Sequence, residues 1–178
     1  QRDLILQIGS IYRENLVEDA KEVVAGLQLL GISVYIVSGG FSAALMELGS
    51  TLALPDRQIF GTDLIHDEKG NYQGFVEGPL RRNNGKLQII RQIPGRKLVV
   101  GDSITDLESK EIVDLFVGYG GVVLRKKVEK EAEIYLYHRS LSPILLIAAG
   151  YKKSLKLLST KYRRYVGKGL DLLFHPKH

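Results

Sequence analysis

The chain has 178 residues, contains no cysteine and carries a formal net charge of +5. Its length fits one domain that buries roughly two-thirds of its unfolded surface. The lack of cysteine excludes disulfides and thiolate metal sites and predicts a cytoplasmic location. No apolar run approaches the roughly 18 residues that a membrane span needs, and no signal peptide is visible.

Helical and strand patterns alternate along the chain. Apolar residues at helical spacing predict a helix over 16–30, and β-branched residues predict a strand over 32–37. The pattern continues with a helix over 41–48, strands over 57–65 and 70–76, a helix over 84–93, a strand over 97–100, a helix over 105–113 and strands over 115–119 and 133–137. Ser142 as N-cap and Pro143 at the first helical position predict the start of a long closing helix. This alternation predicts an α/β fold, with a parallel sheet that has helices on both faces.

Residues that could bind an anion or a cation follow two of these strands, and a lysine lies at the start of one helix. One strand runs into Ser38-Gly39-Gly40, where backbone N–H groups and a hydroxyl predict an anion site. Another runs into Gly101-Asp102-Ser103, where the carboxylate predicts a ligand for a hard cation such as Mg²⁺. Gly85-Lys86 adds an ammonium group at a helix start. An anion site, a cation and a lysine are the parts that a phosphoryl-transfer site needs.

Several segments together resemble a known family. "VYIVSGGF", the pair Gly85-Lys86 and "VGDSITDLE" resemble motifs two, three and four of the haloacid dehalogenase superfamily. "GNYQGFVEG" and "LFVGYGGVVLRKKVEKEAEIYL" resemble its phosphoserine phosphatase branch, so that the resemblance covers about residues 16–137. It implies a Rossmann-like three-layer core over 16–150 with a parallel sheet and a β-hairpin, without most or all of the helical cap of the branch. It also implies a Mg²⁺-dependent phosphomonoester hydrolase that works through an aspartyl-phosphate.

The resemblance implies a role for each matching residue. Ser38, with the backbone N–H groups of Gly39 and Gly40, resembles the group that holds the transferring phosphoryl, and Lys86 resembles the lysine that neutralises it. Asp102 and Asp106 resemble the acids of the Mg²⁺ shell. Thr105 occupies a position where a substrate contact is expected, and Ser103 is a mild departure because relatives commonly carry glycine there. The substrate implied is a small phosphomonoester such as phosphoserine.

The first motif of the family has no counterpart before Ser38. That motif, Asp-x-Asp-x-Thr, supplies the nucleophile and the general acid and base, whereas residues 1–37 contain no Asp-x-Asp. In one account, the nucleophile strand lies upstream of the sequence, and residues 1–15 are the end of the cap. In the other, Leu4 to Ile8 form a degenerate first strand, and the protein is a non-catalytic binding or assembly module.

We favour the first account, because a chain that keeps Ser38, Lys86, Asp102 and Asp106 keeps most of a working site. A physical objection stands against it. The first-motif strand lies at the centre of the sheet in this family, and its neighbours would lose their shared partner without it. Buried backbone groups left unpaired in this way are costly.

The C-terminal residues are the basic part of the chain. Residues 151–178 hold eight Lys or Arg against one acid, while the preceding residues have a balance of −2. Apolar residues at helical spacing predict a helical extension here, namely Tyr151, Leu155, Leu158, Tyr162 and Val166. This extension is predicted either to pack on the core with a solvated basic face or to bind an anionic surface, of a membrane or of nucleic acid. A homodimer is a further expectation, and none of the scattered histidines (His66, His138, His175, His178) is predicted to bind metal.

Overall fold

The structure is a computed structural model that describes the backbone of residues 2–176 and the side chains of residues 7–176. The α-helices are α1 (Arg2–Glu14), α2 (Ala20–Leu29), α3 (Ser42–Thr51), α4 (Gly85–Gln92), α5 (Ile104–Leu107), α6 (Lys126–Glu131), α7 (Ser142–Ala149), α8 (Tyr151–Ser154) and α9 (Arg163–Phe174). The strands are β1 (Ile36–Phe41), β2 (Ile59–Thr62), β3 (Leu64–His66), β4 (Tyr72–Phe75), β5 (Leu98–Gly101), β6 (Leu115–Tyr119) and β7 (Ile134–Leu136). The chain divides into two compact units, the first formed by Gln1–Leu16 and Tyr35–Ile93 and the second by Val17–Val34 and Pro94–His178.

The first unit contains a parallel strand pair and a hairpin. β1 pairs with β2 in parallel, and β3 pairs with β4 antiparallel. The predicted hairpin is confirmed, but the single strand expected over 57–65 is divided at Asp63, because β2 joins β1 while β3 joins β4. Helix α1 packs on α3, and the buried apolar side chains of the unit include Ala44, Leu45, Ile59 and Ile90.

The second unit is a three-layer α/β arrangement. Its sheet has the order β5-β6-β7, with all strands parallel. Successive residues of a strand point to opposite faces. Phe116 of β6 packs with Leu107 and Val128, from α5 and α6, while Val117 belongs to the main core with residues of α2, α7 and α9. The expected α/β fold, with a parallel sheet covered on both faces, is therefore confirmed.

At the start of α7, the residue that caps the helix differs from the prediction. Ser142 is the first residue of the helix rather than its N-cap. The cap is instead the buried carboxylate of Asp19, which accepts hydrogen bonds from the backbone N–H groups of Leu141 and Ser142 and from the hydroxyls of Ser140 and Ser142. Lys168 Nζ lies 3.4 Å from Asp19 Oδ2 and adds a positive charge. A distant acid therefore satisfies helix N–H groups that would otherwise lack partners.

The long closing helix expected from Ser142 onward is interrupted. Helix α7 ends before Gly150, and α8 is followed by a 3₁₀ helix over Leu155–Ser159 and then by α9. The expected apolar stripe is correspondingly wrong for three of its residues: Tyr151, Leu155 and Leu158 are exposed. Leu157, Tyr162, Tyr165 and Val166 are buried in the main core. Residues 151–176 are therefore an integral part of the second unit and not an extension beyond it.

Residues 2–14 form α1, so the alternative that makes Leu4 to Ile8 a degenerate strand is wrong in its secondary structure. A window of five apolar-rich residues favours a strand, but the apolar positions Leu4, Ile8 and Ile11 follow helical spacing when the window is widened. Within the described residues, β1 has β2 as its one strand partner, and β5 has β6. No helix among residues 2–176 is long and apolar enough to cross a membrane.

Candidate functional site

In the first unit, β1 bulges at the segment Ser38-Gly39-Gly40. Val37 pairs with Phe60 and Phe41 pairs with Thr62, so β1 has two more residues than β2 between these pairs. The strand expected to end before Ser38 therefore continues through it, and bulges of this kind turn backbone groups out of the ladder. Thr62 fixes the bulge, because its hydroxyl donates to the carbonyl of Gly39 at 3.2 Å.

The hydroxyl oxygen of Ser38 accepts one hydrogen bond from the backbone. The backbone N–H of Gly40 donates to Ser38 Oγ at 3.1 Å. Since a serine hydroxyl can accept and donate at once, this contact occupies an acceptor position and leaves the hydroxyl proton for another partner. An anion near Ser38 would receive that proton in a hydrogen bond. The N–H of Gly40, by contrast, is already used by Ser38.

Lys86 lies in the first turn of α4, which packs against β1. The helix begins tightly against the preceding 3₁₀ turn Pro79–Arg81, since a Cβ built on Gly85 would lie 1.9 Å from the carbonyl oxygen of Pro79. A side chain at residue 85 would therefore displace the start of the helix. The first unit thus brings Ser38 and the half-buried Lys86 onto contacting elements.

In the second unit, the two acids follow β5 closely: Asp102 lies between β5 and α5, and Asp106 lies in the first turn of α5. Ser103 caps α5 in a capping box: its Oγ accepts from the N–H of Asp106, and its own N–H donates to Asp106 Oδ2 at 3.1 Å. Ser103 Oγ also lies 2.7 Å from Asp106 Oδ2 and 2.9 Å from Thr105 Oγ1. The departure at Ser103 therefore has a structural function, since it holds Asp106 and Thr105 in place.

The close packing of Asp106 against the end of β5 requires glycine at residue 101. A Cβ built on Gly101 would lie 2.3 Å from Cβ of Asp106. The absence of a side chain at Gly101 lets Asp106, in the first turn of α5, pack closely against the end of β5. The second unit thus brings Asp102 and Asp106 together at the carboxyl end of a parallel strand, where α/β proteins bind ligands.

Asp102 forms an ion pair that sequence reasoning missed. Arg125 Nη2 lies 3.4 Å from Asp102 Oδ2, and both side chains are partly exposed, at 44% and 43%. Arg125 precedes α6 in the connection after β6, the neighbour of β5 in the sheet. Connections that follow adjacent parallel strands meet at one edge of the sheet, so a basic residue after β6 was the available signal.

Asp102 and Asp106 carry the kind of oxygen atom that Mg²⁺ prefers as a ligand. Mg²⁺ is usually held by one or two carboxylates together with waters and substrate phosphate. Asp102 and Asp106 supply two carboxylates, one of which is paired with Arg125 and the other engaged by Ser103. No group of three or more His, Asp or Glu suited to a metal occurs among the residues whose side chains are described. Of the four histidines, His178 lies outside the described residues.

Tyr119, the last residue of β6, has a strongly altered acidity. Burial, together with the charge of Asp19, raises the pKa of Tyr119 to about 12. Its hydroxyl oxygen is buried and makes no hydrogen bond to the part of the protein that the structure describes. Tyr119 therefore stays neutral at physiological pH and is unsuited to act as a base.

The chain is similar to curated phosphoserine phosphatases. It is 31% identical over 141 residues to phosphoserine phosphatase of Bos taurus, an alignment that covers 76% of this chain and 63% of that protein. It is 34% identical over 125 residues to the chloroplastic phosphoserine phosphatase of Arabidopsis thaliana, with 66% of this chain and 42% of that protein covered. The chain thus spans less than two thirds of the length of these relatives.

Similarity extends to a solved structure. A phosphoserine phosphatase with bound substrate superimposes with a TM-score of 0.60 and 28% identity, covering 72% of this chain and 61% of that one. The chain matches no protein-family model. Sequence and fold similarity therefore point to the same group of proteins.

Proposed function

Because this chain belongs to the phosphoserine phosphatase-like branch of the haloacid dehalogenase superfamily, we propose that it is part of a Mg²⁺-dependent phosphomonoester hydrolase. The substrate class is a small phosphomonoester such as phosphoserine. The observation that carries the proposal is the end of β5, where a capping box with Ser103 and the absence of a side chain at Gly101 hold Asp106, in the first turn of α5, against the segment that carries Asp102. The capping box by itself would also serve to start the helix. The position of both acids at the carboxyl end of a parallel strand, where α/β proteins bind ligands, is what supports the assignment.

In the first unit, Ser38 and Lys86 are assigned to the phosphoryl group. Ser38 donates its hydroxyl proton to a phosphoryl oxygen, since the N–H of Gly40 uses only an acceptor position of the hydroxyl and leaves the proton available. The exposed backbone of Gly39 is a further donor at the bulge. Lys86 neutralises negative charge on the phosphoryl group, which is the main requirement of phosphoryl transfer.

In the second unit, Asp102 and Asp106 are assigned to Mg²⁺, and Thr105 to a substrate contact. When bound, Mg²⁺ would neutralise phosphoryl oxygens and favour attack on phosphorus. Ser103 orients the carboxylate of Asp106 through two hydrogen bonds. Arg125 forms an ion pair with the carboxylate of Asp102, and a bound metal would compete with Arg125 for that carboxylate.

The nucleophile is assigned to a segment outside these 178 residues, since the sequence contains no Asp-x-Asp. In the proposed reaction, a carboxylate oxygen of that segment attacks phosphorus, the bond to the leaving oxygen breaks and that oxygen takes up a proton. Water then attacks phosphorus of the aspartyl-phosphate, which releases inorganic phosphate and restores the carboxylate. Ser38 and Lys86 keep the transferring group in place through both steps.

The test is Mg²⁺-dependent hydrolysis of p-nitrophenyl phosphate and phosphoserine by the natural full-length protein. Asp102→Asn should abolish metal-dependent turnover, and Lys86→Gln should lower kcat by about 100-fold or more, the scale of one transition-state charge contact. Glu108→Gln is the matched control, because Glu108 is an exposed acid close to Asp106 and should retain activity. Absence of Mg²⁺-dependent turnover on any phosphomonoester would overturn the proposal.

The second candidate is a non-catalytic binding module, favoured by the missing Asp-x-Asp. Such a module would retain phosphate affinity through Ser38 and would show no hydrolysis. Sequencing the natural gene separates the two candidates. An upstream segment with Asp-x-Asp-x-Thr excludes the module, whereas a start codon directly before Gln1 favours it.

A further inference from the structure

The helical turns after Gly150 present cations and apolar side chains together on the surface. Tyr151, Leu155 and Leu158 are 64%, 40% and 42% exposed. The exposed residues Lys152, Lys153 and Lys156 alternate with them. We call these six residues the basic-apolar strip.

Packing on the other side of these turns fixes the orientation of the strip. Ser154 and Leu157 are fully buried, and Leu157 belongs to the main core of the second unit. The hydroxyl of Ser154 also donates to the carbonyl of Tyr151 at 2.7 Å. The three exposed apolar side chains therefore cannot turn inward without removing Leu157 from the core, which would cost about 2 kcal/mol or more.

The charged residues close to the strip in sequence are all basic. The sequence contains no acid between Glu133 and Asp171, and Lys161, Arg163 and Arg164 follow the strip as exposed cations. Lys168, by contrast, is paired with Asp19. None of the three lysines of the strip lies within ion-pair distance of a described acid.

We propose that the basic-apolar strip docks on an anionic lipid surface. Lysines beside exposed apolar side chains match a membrane interface, where cations meet anionic headgroups and apolar groups enter the boundary with the acyl chains. Nucleic acid would satisfy the cations but would leave Leu155 and Leu158 in water. A second copy of the chain would bring two strips of the same charge together, which opposes association. This inference is independent of the phosphatase proposal.

The experiment is sedimentation of the full chain with vesicles of phosphatidylcholine alone or mixed with phosphatidylglycerol. Binding should require phosphatidylglycerol and should weaken between about 0.1 M and 1 M salt, as the Debye length falls from about 10 to 3 Å. Replacing Lys152, Lys153 and Lys156 by Gln should lower the affinity on the order of 100-fold, the combined scale of three surface cations. The double change Leu155→Ser and Leu158→Ser should lower it about 10-fold by removing apolar contact.

Matched variants separate this surface from general charge and apolarity. The change of Lys126, Lys127 and Lys130 to Gln removes the same charge from exposed positions of α6 and should retain binding. Leu29→Ser removes an apolar side chain that is 59% exposed elsewhere on the second unit and should also retain it. Thermal unfolding followed by circular dichroism shows that each variant is folded.

Three results would overturn the proposal. The first is no binding to the phosphatidylglycerol vesicles. The second is that the α6 variant loses as much vesicle affinity as the variant of Lys152, Lys153 and Lys156. This would mean that any reduction in charge has the same effect. The third is unchanged affinity of the Leu155 and Leu158 variant together with tighter binding of a DNA or RNA oligonucleotide, which would assign the strip to nucleic acid.

Discussion

Asp19 and Ser142 are 123 residues apart in sequence, yet the carboxylate of one accepts two hydrogen bonds from the other. Asp19 Oδ2 lies 2.6 Å from the hydroxyl oxygen of Ser142 and 3.1 Å from its backbone nitrogen. The contact joins the start of α2 to the start of α7 inside the second unit. A buried charge with this many donors is costly to disturb, because removing it leaves polar groups without partners.

Asp19→Asn should lower the free energy of unfolding by about 2–3 kcal/mol, the scale of buried hydrogen bonds to a charged group. The amide keeps the shape of the side chain, but its NH₂ group would face hydrogen-bond donors in either orientation: three of them point at Oδ2 and one at Oδ1. Urea unfolding followed by circular dichroism measures the effect. Glu18→Gln is the control, since Glu18 is the neighbouring acid and is exposed, and it should change stability by less than about 0.5 kcal/mol. Equal stability of wild type and Asp19→Asn would contradict the capping role.

The same carboxylate predicts a pH dependence of stability. Burial raises the pKa of Asp19, but hydrogen bonds from Leu141, Ser140 and Ser142 and the charge of Lys168 outweigh it and lower the pKa below its ordinary value of 3.8. A lowered pKa in the folded state means that the stabilisation is present above pH 3.8 and is lost as the pH falls through the folded pKa. The difference in unfolding free energy between wild type and Asp19→Asn should therefore be constant near neutral pH and shrink below pH 3.8. A difference that grows on acidification would contradict the sign.

Gly101→Ala should displace Asp106 from the end of β5, because the new Cβ would lie 2.3 Å from Cβ of Asp106. We expect a loss of about 1–3 kcal/mol in unfolding free energy, the usual cost of overpacking, together with weaker Mg²⁺ binding in calorimetric titration. Gly167→Ala is the control: a Cβ on Gly167 meets nothing within 4 Å, and alanine is the better helix former in α9. That variant should gain about 0.5–1 kcal/mol. Mg²⁺ affinity that survives Gly101→Ala would mean that Asp106 does not contribute to the metal site.

Arg125→Gln should increase the affinity for Mg²⁺, because Arg125 and the metal compete for the carboxylate of Asp102. The gain should be about two- to fivefold, since a partly exposed ion pair contributes at most about 1 kcal/mol. Isothermal titration of Mg²⁺ into the natural protein measures it. Lys126→Gln removes the adjacent charge without an ion pair to Asp102 and should change the affinity less. Weaker Mg²⁺ binding by Arg125→Gln would show that Arg125 organises the site and does not compete for it.

Local features of the site could be predicted because they depend on neighbours in sequence. The strand predicted before Gly101-Asp102-Ser103 corresponds to β5, and the strand over Leu115–Tyr119 agrees with its prediction at both ends. The helix that begins with Gly85-Lys86 was also found. These elements combine a short apolar pattern with Gly, Asp or Ser at its end, and such patterns are determined by local backbone preferences.

Contacts between distant residues could not be predicted in this way. The capping of α7 by Asp19, the pairing of Arg125 with Asp102 and the division of one expected strand at Asp63 all depend on which elements become neighbours. A sequence pattern records the spacing of apolar residues but not which side of a sheet or helix finds a partner.

The C-terminal residues show this limit most clearly. The sequence by itself determined that residues 151–178 are basic and helical in pattern. Only the tertiary structure decided that Leu157, Tyr162 and Val166 enter the core while Leu155 stays in water. The interruption between α7 and α9 turns the helical phase, so the buried side is set by the packing of Leu157 against the main core rather than by uninterrupted helical spacing.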